Sequence, residues 1–235
     1  MQARLLARVL TLVATGAALG SAAHGQTAKA PSPVTPEWNQ TITKEPNVAG
    51  QEFDAKQLEL LQKVTIYFNQ MGDMKGTFVQ TSPDNKKLRG KIYVKRPSFF
   101  RFEYNLPSRQ LIISDSKHMV VQDHDLKTDD RWGLDKTPFR IILRKDVDLR
   151  RDARILEVGE TDDRIFVALQ DKNPDTPGRL KLLLLKKPAI ELKEWITTDS
   201  QGQSTHVDLT EFAKADDLDP KLFEPPPIAL QKLSP

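Results

Sequence analysis

The side chains that most often perform catalysis are present, but they do not form a recognisable catalytic pattern. The sequence contains no Gly-x-Ser-x-Gly, no glycine-rich phosphate loop and no His-Glu-x-x-His, which are spacings typical of nucleophilic, phosphoryl-transfer and zinc chemistry. It also contains no cysteine, so no disulfide can form. The four histidines are scattered: His24, His118, His124 and His206. We therefore predict a binding protein rather than an enzyme, with no cofactor and no metal.

Two groups of polar residues have the composition of a binding site. One group consists of aspartates, at Asp115, Asp123, Asp125, Asp129 and Asp130. It lacks the glycine and the terminal glutamate of an EF-hand loop, so we interpret these aspartates as solvated turn residues. The other group interleaves cations with aromatic residues, as single-strand nucleic-acid platforms do: Arg89, Lys91, Tyr93, Lys95, Arg101 and Phe102. We interpret it as a solvated strand face and expect no nucleic-acid partner.

The interleaved cations belong to residues 86–104, the stretch around which the rest of the chain is organised. On the first run, the apolar side chains fall at alternate positions, namely Leu88, Ile92 and Val94. Gly90 occupies the remaining position on the same face of the strand. Pro97 interrupts this run, and a second alternating run carries Phe100, Phe102 and Tyr104. A period of two predicts a strand with one dry face, so we expect a hairpin with an aromatic dry face and Arg96 at its corner.

The other elements are predicted from the same kinds of pattern. Asp54 is a good N-cap for a helix that reaches about Met71, and apolar residues recur along it at three- and four-residue intervals. Thr137 and Pro138 favour the start of a second, short helix at 139–144. Eleven short strands are predicted, at 76–81, 88–95, 99–105, 110–114, 118–123, 126–132, 154–158, 164–170, 179–186, 190–197 and 204–212. This order indicates an antiparallel meander that curls into a barrel or half-barrel.

The two ends of the chain have a different composition from the middle. Residues 1–25 combine Arg4 and Arg8 with an apolar stretch of signal-peptide length and then small residues, so we predict a leader that is cleaved after Gly25. Its removal would lower the formal net charge from +3 to +1, which leaves little electrostatic support for binding nucleic acid. Residues 26–51 are polar and rich in proline, and we predict a disordered arm. The domain is predicted at 52–227, followed by a flexible tail at 228–235.

The order of these segments resembles the LolA family, the periplasmic carriers that take lipoproteins to the outer membrane of Gram-negative bacteria. The resemblance runs from about Leu58 to Pro227. It rests on a helix followed by six short motifs in the family's order: Gly76-Thr77-Phe78-Val79-Gln80, Gly90-x-Ile92-Tyr93-Val94-Lys95-Arg96-Pro97, Phe99-Phe100-Arg101-Phe102-Glu103-Tyr104, Leu111-Ile112-Ile113-Ser114-Asp115, Thr137-Pro138-Phe139 with Ile142 and Arg144, and Phe223-x-Pro225-Pro226. Trp132 and Trp195 are not evident features of the family. The resemblance implies a mainly β fold with some α, an open antiparallel barrel of eleven strands with a helical lid over an apolar cavity.

The resemblance also implies a ligand site and partners. The expected cavity residues are Leu88, Ile92, Val94, Phe100, Phe102, Tyr104 and Ile142. Arg96 is expected to close the lid by hydrogen bonds to backbone groups near Ile142 and Leu143. The implied function is a monomeric periplasmic carrier that receives lipoproteins from an inner-membrane releasing transporter and passes them to an outer-membrane acceptor. A carrier or sensor of another amphiphile, such as a glycolipid, is the alternative, and the same apolar residues could also fill an ordinary core.

Overall fold

The computed structural model describes residues 52–228. The predicted leader at 1–25 and arm at 26–51 lie outside the described residues, as does all of the predicted tail at 228–235 except its first residue. Within 52–228 no helix is both long enough and apolar enough to span a membrane.

Eleven antiparallel strands form one sheet, as the sequence predicts. In chain order they are β1 Met74–Thr81, β2 Lys87–Lys95, β3 Phe99–Tyr104, β4 Gln110–Asp115, β5 His118–Asp123, β6 Thr128–Gly133, β7 Ala153–Glu160, β8 Arg164–Asp171, β9 Arg179–Leu185, β10 Glu191–Thr198 and β11 Ser204–Lys214. Their spatial order is β6-β5-β4-β3-β2-β1-β11-β10-β9-β8-β7. The fold is therefore mainly β, with two local meanders that join where β1 pairs with β11.

The sheet is open because β6 and β7, which follow each other in the chain, are its two outer strands. Residues 134–152 connect these two edges, and we call them the lid segment. They contain a 3-10 turn at Leu134–Lys136 and two short helices, α2 at Arg140–Leu143 and α3 at Leu149–Asp152. The fold class is thus an unclosed antiparallel barrel with helices on its inner face. The lid segment runs between its two edge strands, β6 and β7.

The long helix α1, Ala55–Gln70, covers the inner face of the sheet. Asp54 begins it with a capping box, because its carboxylate accepts the backbone N–H of Gln57 and the Gln57 side chain accepts the backbone N–H of Asp54. The apolar stripe of α1 is buried in the same core cluster as the inner face of the strands, through Leu60, Leu61, Val64 and Phe68. The amphipathic pattern of the sequence therefore determines which side of α1 meets the sheet.

The aromatic face of the β2–β3 hairpin packs inward, where Gly90 leaves space for a neighbour. A Cβ at Gly90 would lie 2.7 Å from the ring of Phe78, so only glycine lets this ring lie against β2. Phe78 in turn makes edge-to-face contacts with Phe102 and Tyr104, at centroid distances of 5.2 and 5.1 Å. These rings form the centre of the inner core.

The outer face of the hairpin is only partly solvated, which differs from the prediction. Arg89 and Lys91 are exposed, but the chain after β11 packs across the neighbouring strands, and Phe223 is 2% exposed. It covers a second apolar cluster that contains Leu111 and Ile113. Arg101 donates a hydrogen bond to the carbonyl of Leu222 at 3.0 Å. The sequence pattern shows which residues of a strand face outward, but it does not show what later segment covers them.

Three local predictions also differ from the structure. β6 begins at Thr128 because Lys127 adopts a left-handed turn conformation with φ of 55°, so Leu126 lies in the turn. Thr137 does not cap α2: its hydroxyl donates to the carbonyl of Leu134. The helix α3 was not predicted. Its N-cap is Asp148, whose carboxylate accepts the N–H groups of Arg150 and Arg151 in the first turn.

Candidate functional site

A wholly apolar cavity lies between the inner face of the sheet, the end of α1 and the lid segment. Its volume is about 50 Å³, which is room for one or two water molecules and far too little for a long acyl chain. The described structure is therefore a closed form. Any ligand of that size has to separate the lid segment or α1 from the sheet before it can enter.

Five of the seven expected cavity residues line this space: Ile92, Val94, Phe100, Phe102 and Ile142. The other two, Leu88 and Tyr104, lie on the inner face but not at the cavity. Leu88 is half-buried against the core. Tyr104 is buried beside Phe78, and its hydroxyl donates to the side-chain oxygen of Gln80 at 2.7 Å; burial raises the pKa of this phenol. The alternation of apolar and polar residues along a strand shows on which face of the sheet a residue lies. It does not show how far that residue is from the cavity.

Seven further residues line the cavity and were not among the expected cavity residues: Phe68, Met71, Phe139, Leu143, Leu192, Trp195 and Phe212. Phe68 and Met71 belong to the apolar stripe of the predicted helix, so the stripe could have been used to predict them as cavity residues. The residues of β10 and β11 lay in predicted strands, but their approach to β2 depends on the pairing of β1 with β11. That pairing is between distant parts of the chain and leaves no local pattern.

Arg96 connects the hairpin corner to both elements that cover the cavity. Its guanidinium donates one hydrogen bond to the carbonyl of Phe68, at the end of α1, and another to the carbonyl of Arg144, just after α2. Partial burial lowers the pKa of Arg96, although a guanidinium stays protonated in proteins. Arg96 is therefore placed so that both of its bonds depend on α1 and the lid segment lying against the sheet.

One acceptor of Arg96, the carbonyl of Arg144, directly follows Leu143, near which the bond was expected. The other acceptor, the carbonyl of Phe68, was not expected. The carbonyl of Leu143 instead accepts the backbone N–H of Ser98 at 2.9 Å. Since Ser98 occupies the same turn as Arg96, the turn uses the two successive carbonyls that end α2. The last carbonyls of a helix have no partner within the helix, which is why they are available to the turn.

Two of the other contacts that hold the lid segment involve Asn69 and Arg140. Asn69 exchanges two hydrogen bonds with the backbone of Val147, at 2.9 and 2.8 Å. Arg140 of α2 makes a bidentate pair with Asp171 at the end of β8, with both N···O distances at 2.5 Å. The Asp171 side chain has no exposed surface, and hydrogen bonding to it raises the pKa of Arg140. The lid segment is thus attached separately to the hairpin corner, to α1 and to β8.

Of the five aspartates considered from the sequence as a possible ion site, Asp115 and Asp123 act within turns, whereas Asp129 and Asp130 lie in β6 and are not the turn residues that were predicted. Asp123 accepts the backbone N–H groups of Asp125 and Leu126, each at 3.0 Å, and Asp115 accepts those of Lys117 and His118. Within 52–228 no group of three or more histidine, aspartate or glutamate residues is arranged to hold a metal ion. The candidate site is the apolar cavity, which Arg96 and the lid segment cover.

Comparison with known proteins agrees with this architecture. Residues 69–226 match the family model described as outer membrane lipoprotein carrier protein LolA. A protein of Nitrosomonas europaea named outer-membrane lipoprotein carrier protein is 26% identical over 173 residues, covering 70% of this chain and 83% of that protein. A protein of the same name from Methylococcus capsulatus is 28% identical over 144 residues, covering 60% of this chain and 68% of that protein.

Among solved structures, a LolA superfamily protein from Nitrosomonas europaea aligns with 72% of this chain and 97% of its own, at 13% identity and a TM-score of 0.43. The match to the family model alone extends over about two thirds of the sequence. This chain therefore belongs to the LolA family.

Proposed function

We propose that this protein is a periplasmic carrier that holds the acyl chains of lipoproteins in the apolar cavity and shuttles them from the inner to the outer membrane. The observation that carries the proposal is an apolar cavity, closed by a bonded lid segment, in a chain of the LolA family. The relatives that it matches are named as outer-membrane lipoprotein carriers. In this proposal Ile92, Val94, Phe100, Phe102 and Ile142 contact the chains.

The need for such a carrier follows from the cost of exposing acyl chains to water. Each CH₂ group buried is worth about 0.8 kcal/mol, so a lipid anchor with several chains does not cross an aqueous compartment unaided. The cavity supplies the apolar surface, and the small volume of the closed form means that loading requires opening. The protein then exchanges its own aromatic contacts for contacts with the ligand.

Release of the bound lipoprotein has to be favourable as well, and the hydrogen bonds of Arg96 provide a physical reason why it is. Its two hydrogen bonds to Phe68 and Arg144 exist only when the lid segment and α1 are closed, so they stabilise the empty form relative to the loaded form. A cavity that relied on apolar contacts alone would favour retention. The proposal therefore assigns Arg96 to closure, which helps to drive transfer to an acceptor.

The direct test is to purify the protein from a periplasmic extract and identify bound molecules by mass spectrometry. We expect lipoproteins, and we expect Val94→Asp to carry much less, because an unpaired charge on an apolar wall costs several kcal/mol. Lys91→Asp is the matched control, since Lys91 is on the same strand but exposed on the outer face. Recovery of a glycolipid in place of lipoproteins would contradict the proposed cargo. Equal loading of both variants would contradict the proposed cavity.

The proposed partners are an inner-membrane lipoprotein-releasing transporter as donor and an outer-membrane protein as acceptor. We further propose that the carrier acts as a monomer, because one chain contains the whole cavity and all the contacts that close it. Sedimentation of the loaded protein tests this point, and a stable dimer would contradict it.

A further inference from the structure

Trp195 is the one residue of the cavity lining that carries a nitrogen or oxygen in its side chain. It lies on β10 and is 5% exposed. Its indole ring makes edge-to-face contacts with Phe102 and Phe139, at centroid distances of 5.9 and 6.0 Å. Among the described residues its Nε1–H finds no hydrogen-bond acceptor. A buried donor thus belongs to a residue of the cavity wall; in the closed form it has no surface at the cavity and no partner within the described part of the chain.

A donor left in this position reduces the stability of the closed form. Burying a polar group without a hydrogen bond is unfavourable, and most buried tryptophan N–H groups have a partner. The ring faces of Phe102 and Phe139 offer only weak acceptors. A water molecule would not solve the problem either, because a buried water needs several polar partners and the lining offers it one. Opening of the cavity would expose this donor, and a ligand could then supply the acceptor that it lacks.

We propose that the Trp195 indole N–H donates a hydrogen bond to the carbonyl oxygen of an ester or amide that joins an acyl chain to the rest of the ligand. This inference rests on the proposed carrier function, and it names the chemical group that the cavity recognises. An acyl ester or amide brings both a chain that suits the apolar wall and a carbonyl that accepts the hydrogen bond. A plain hydrocarbon or an alkyl ether chain brings the first without an equivalent acceptor.

Such a hydrogen bond would also orient the ligand. The carbonyl would be fixed at Trp195, and the chain beyond it would lie along the apolar side chains of the hairpin, including Phe102. Apolar contacts are not directional, so the cavity wall by itself does not set how far a chain enters. Trp195 thus determines the depth of insertion as well as the preference for acylated ligands.

The test compares two ligands that differ only in this carbonyl: dioctanoylglycerol, which has ester links, and dioctylglycerol, which has ether links. Their affinities are measured by displacement of a fluorescent apolar probe from the wild type and from Trp195→Phe. We expect the ratio of ester to ether affinity to fall roughly 2- to 10-fold in the variant, the range that one hydrogen bond gives. The ether affinity should change much less. Trp132→Phe is the matched control, because Trp132 packs against the core but does not line the cavity.

A second measurement uses the wild type alone and does not depend on how the variant folds. The indole N–H resonance of Trp195 should move downfield with the ester and remain in place with the ether. Failure of both ligands to bind the wild type would contradict the carrier function and this inference together. Binding of both ligands with an unchanged ratio in Trp195→Phe and an unmoved resonance would overturn this inference and leave the carrier function standing.

Discussion

Arg96 is the single residue whose contacts best distinguish a closed cavity from an open one. One guanidinium reaches the end of α1 and the end of α2, so neither bond survives if these elements leave the hairpin corner. The fork geometry allows two bonds in fixed directions, which an ammonium group does not reproduce. The loading equilibrium should therefore be sensitive to this side chain.

We expect Arg96→Leu to keep the sheet folded, to retain bound lipoprotein longer and to hand it over more slowly. A charge-assisted hydrogen bond contributes about 1.5–3 kcal/mol. Loss of even one such bond would therefore shift the equilibrium from the closed form toward the open, loaded form by about 10-fold or more. Arg96→Lys should be intermediate. The measurement is transfer of a labelled lipoprotein to outer-membrane vesicles that contain the acceptor.

Arg89→Leu is the control for this prediction, because Arg89 lies on the same strand and is exposed on the outer face. Arg101 would be a poor control, since it bonds the carbonyl of Leu222 and pairs with Glu103. Hand-over by Arg96→Leu at the wild-type rate would remove the closure mechanism from this protein.

At the scale of elements, the lid segment is held both by hydrogen bonds at several points and by apolar side chains, such as Ile141 and Leu149, that are buried in the inner core. Its own helices are only four residues long, too short to be stable without tertiary contacts. The pair between Arg140 and Asp171 is a costly attachment to break on one side, because the carboxylate is fully buried. That pair determines where α2 meets the end of β8.

We expect Arg140→Leu to lower the free energy of unfolding by about 3 kcal/mol, because it leaves the Asp171 carboxylate buried and unpaired. The double variant Arg140→Leu with Asp171→Asn should recover most of this loss, since the amide oxygen still accepts the N–H of Asn173. Urea unfolding measures both changes. Lys136→Leu is the control, because its exposed pair with Asp175 should be worth less than 1 kcal/mol. A double variant no more stable than Arg140→Leu would refute this account.

The elements also show how far the sequence could predict the site. The alternation around Ile92 and Phe102 predicted the dry face of the hairpin, because a period of two is a local property. The acceptors of Arg96 depend on contacts 28 and 48 residues away, which no local pattern contains. In the sequence, Trp195 stood out only as a residue of a predicted strand that is not an evident feature of the family. Its place at the cavity depends on the order of strands across the whole sheet.

For the whole molecule, the small closed cavity means that loading changes the structure of the carrier. The amide protons of Ser98 and Val147 bond across the border of the lid segment, to Leu143 and to Asn69, so they report whether it is shut. We expect both amides to exchange faster with solvent in the loaded protein than in the empty one. Amides in β1 and β11 should not change, because these strands form the centre of the sheet. Hydrogen exchange followed by NMR measures this, and equal rates in the two forms would show that the ligand does not open the lid segment.

The pairing of β1 with β11 has a consequence for the order in which the molecule assembles. Thr77 and Thr210 are hydrogen-bonded although 133 residues separate them, whereas every other strand pair in the sheet joins neighbours in the chain. The two meanders can form early from local hairpins, but the loop between β1 and β11 must close before they become one sheet. Until β11 has paired with β1, the apolar faces of both meanders remain exposed to water and can make non-native contacts with each other. A chain interrupted before β11 is therefore an incomplete sheet whose apolar face stays exposed and prone to aggregation.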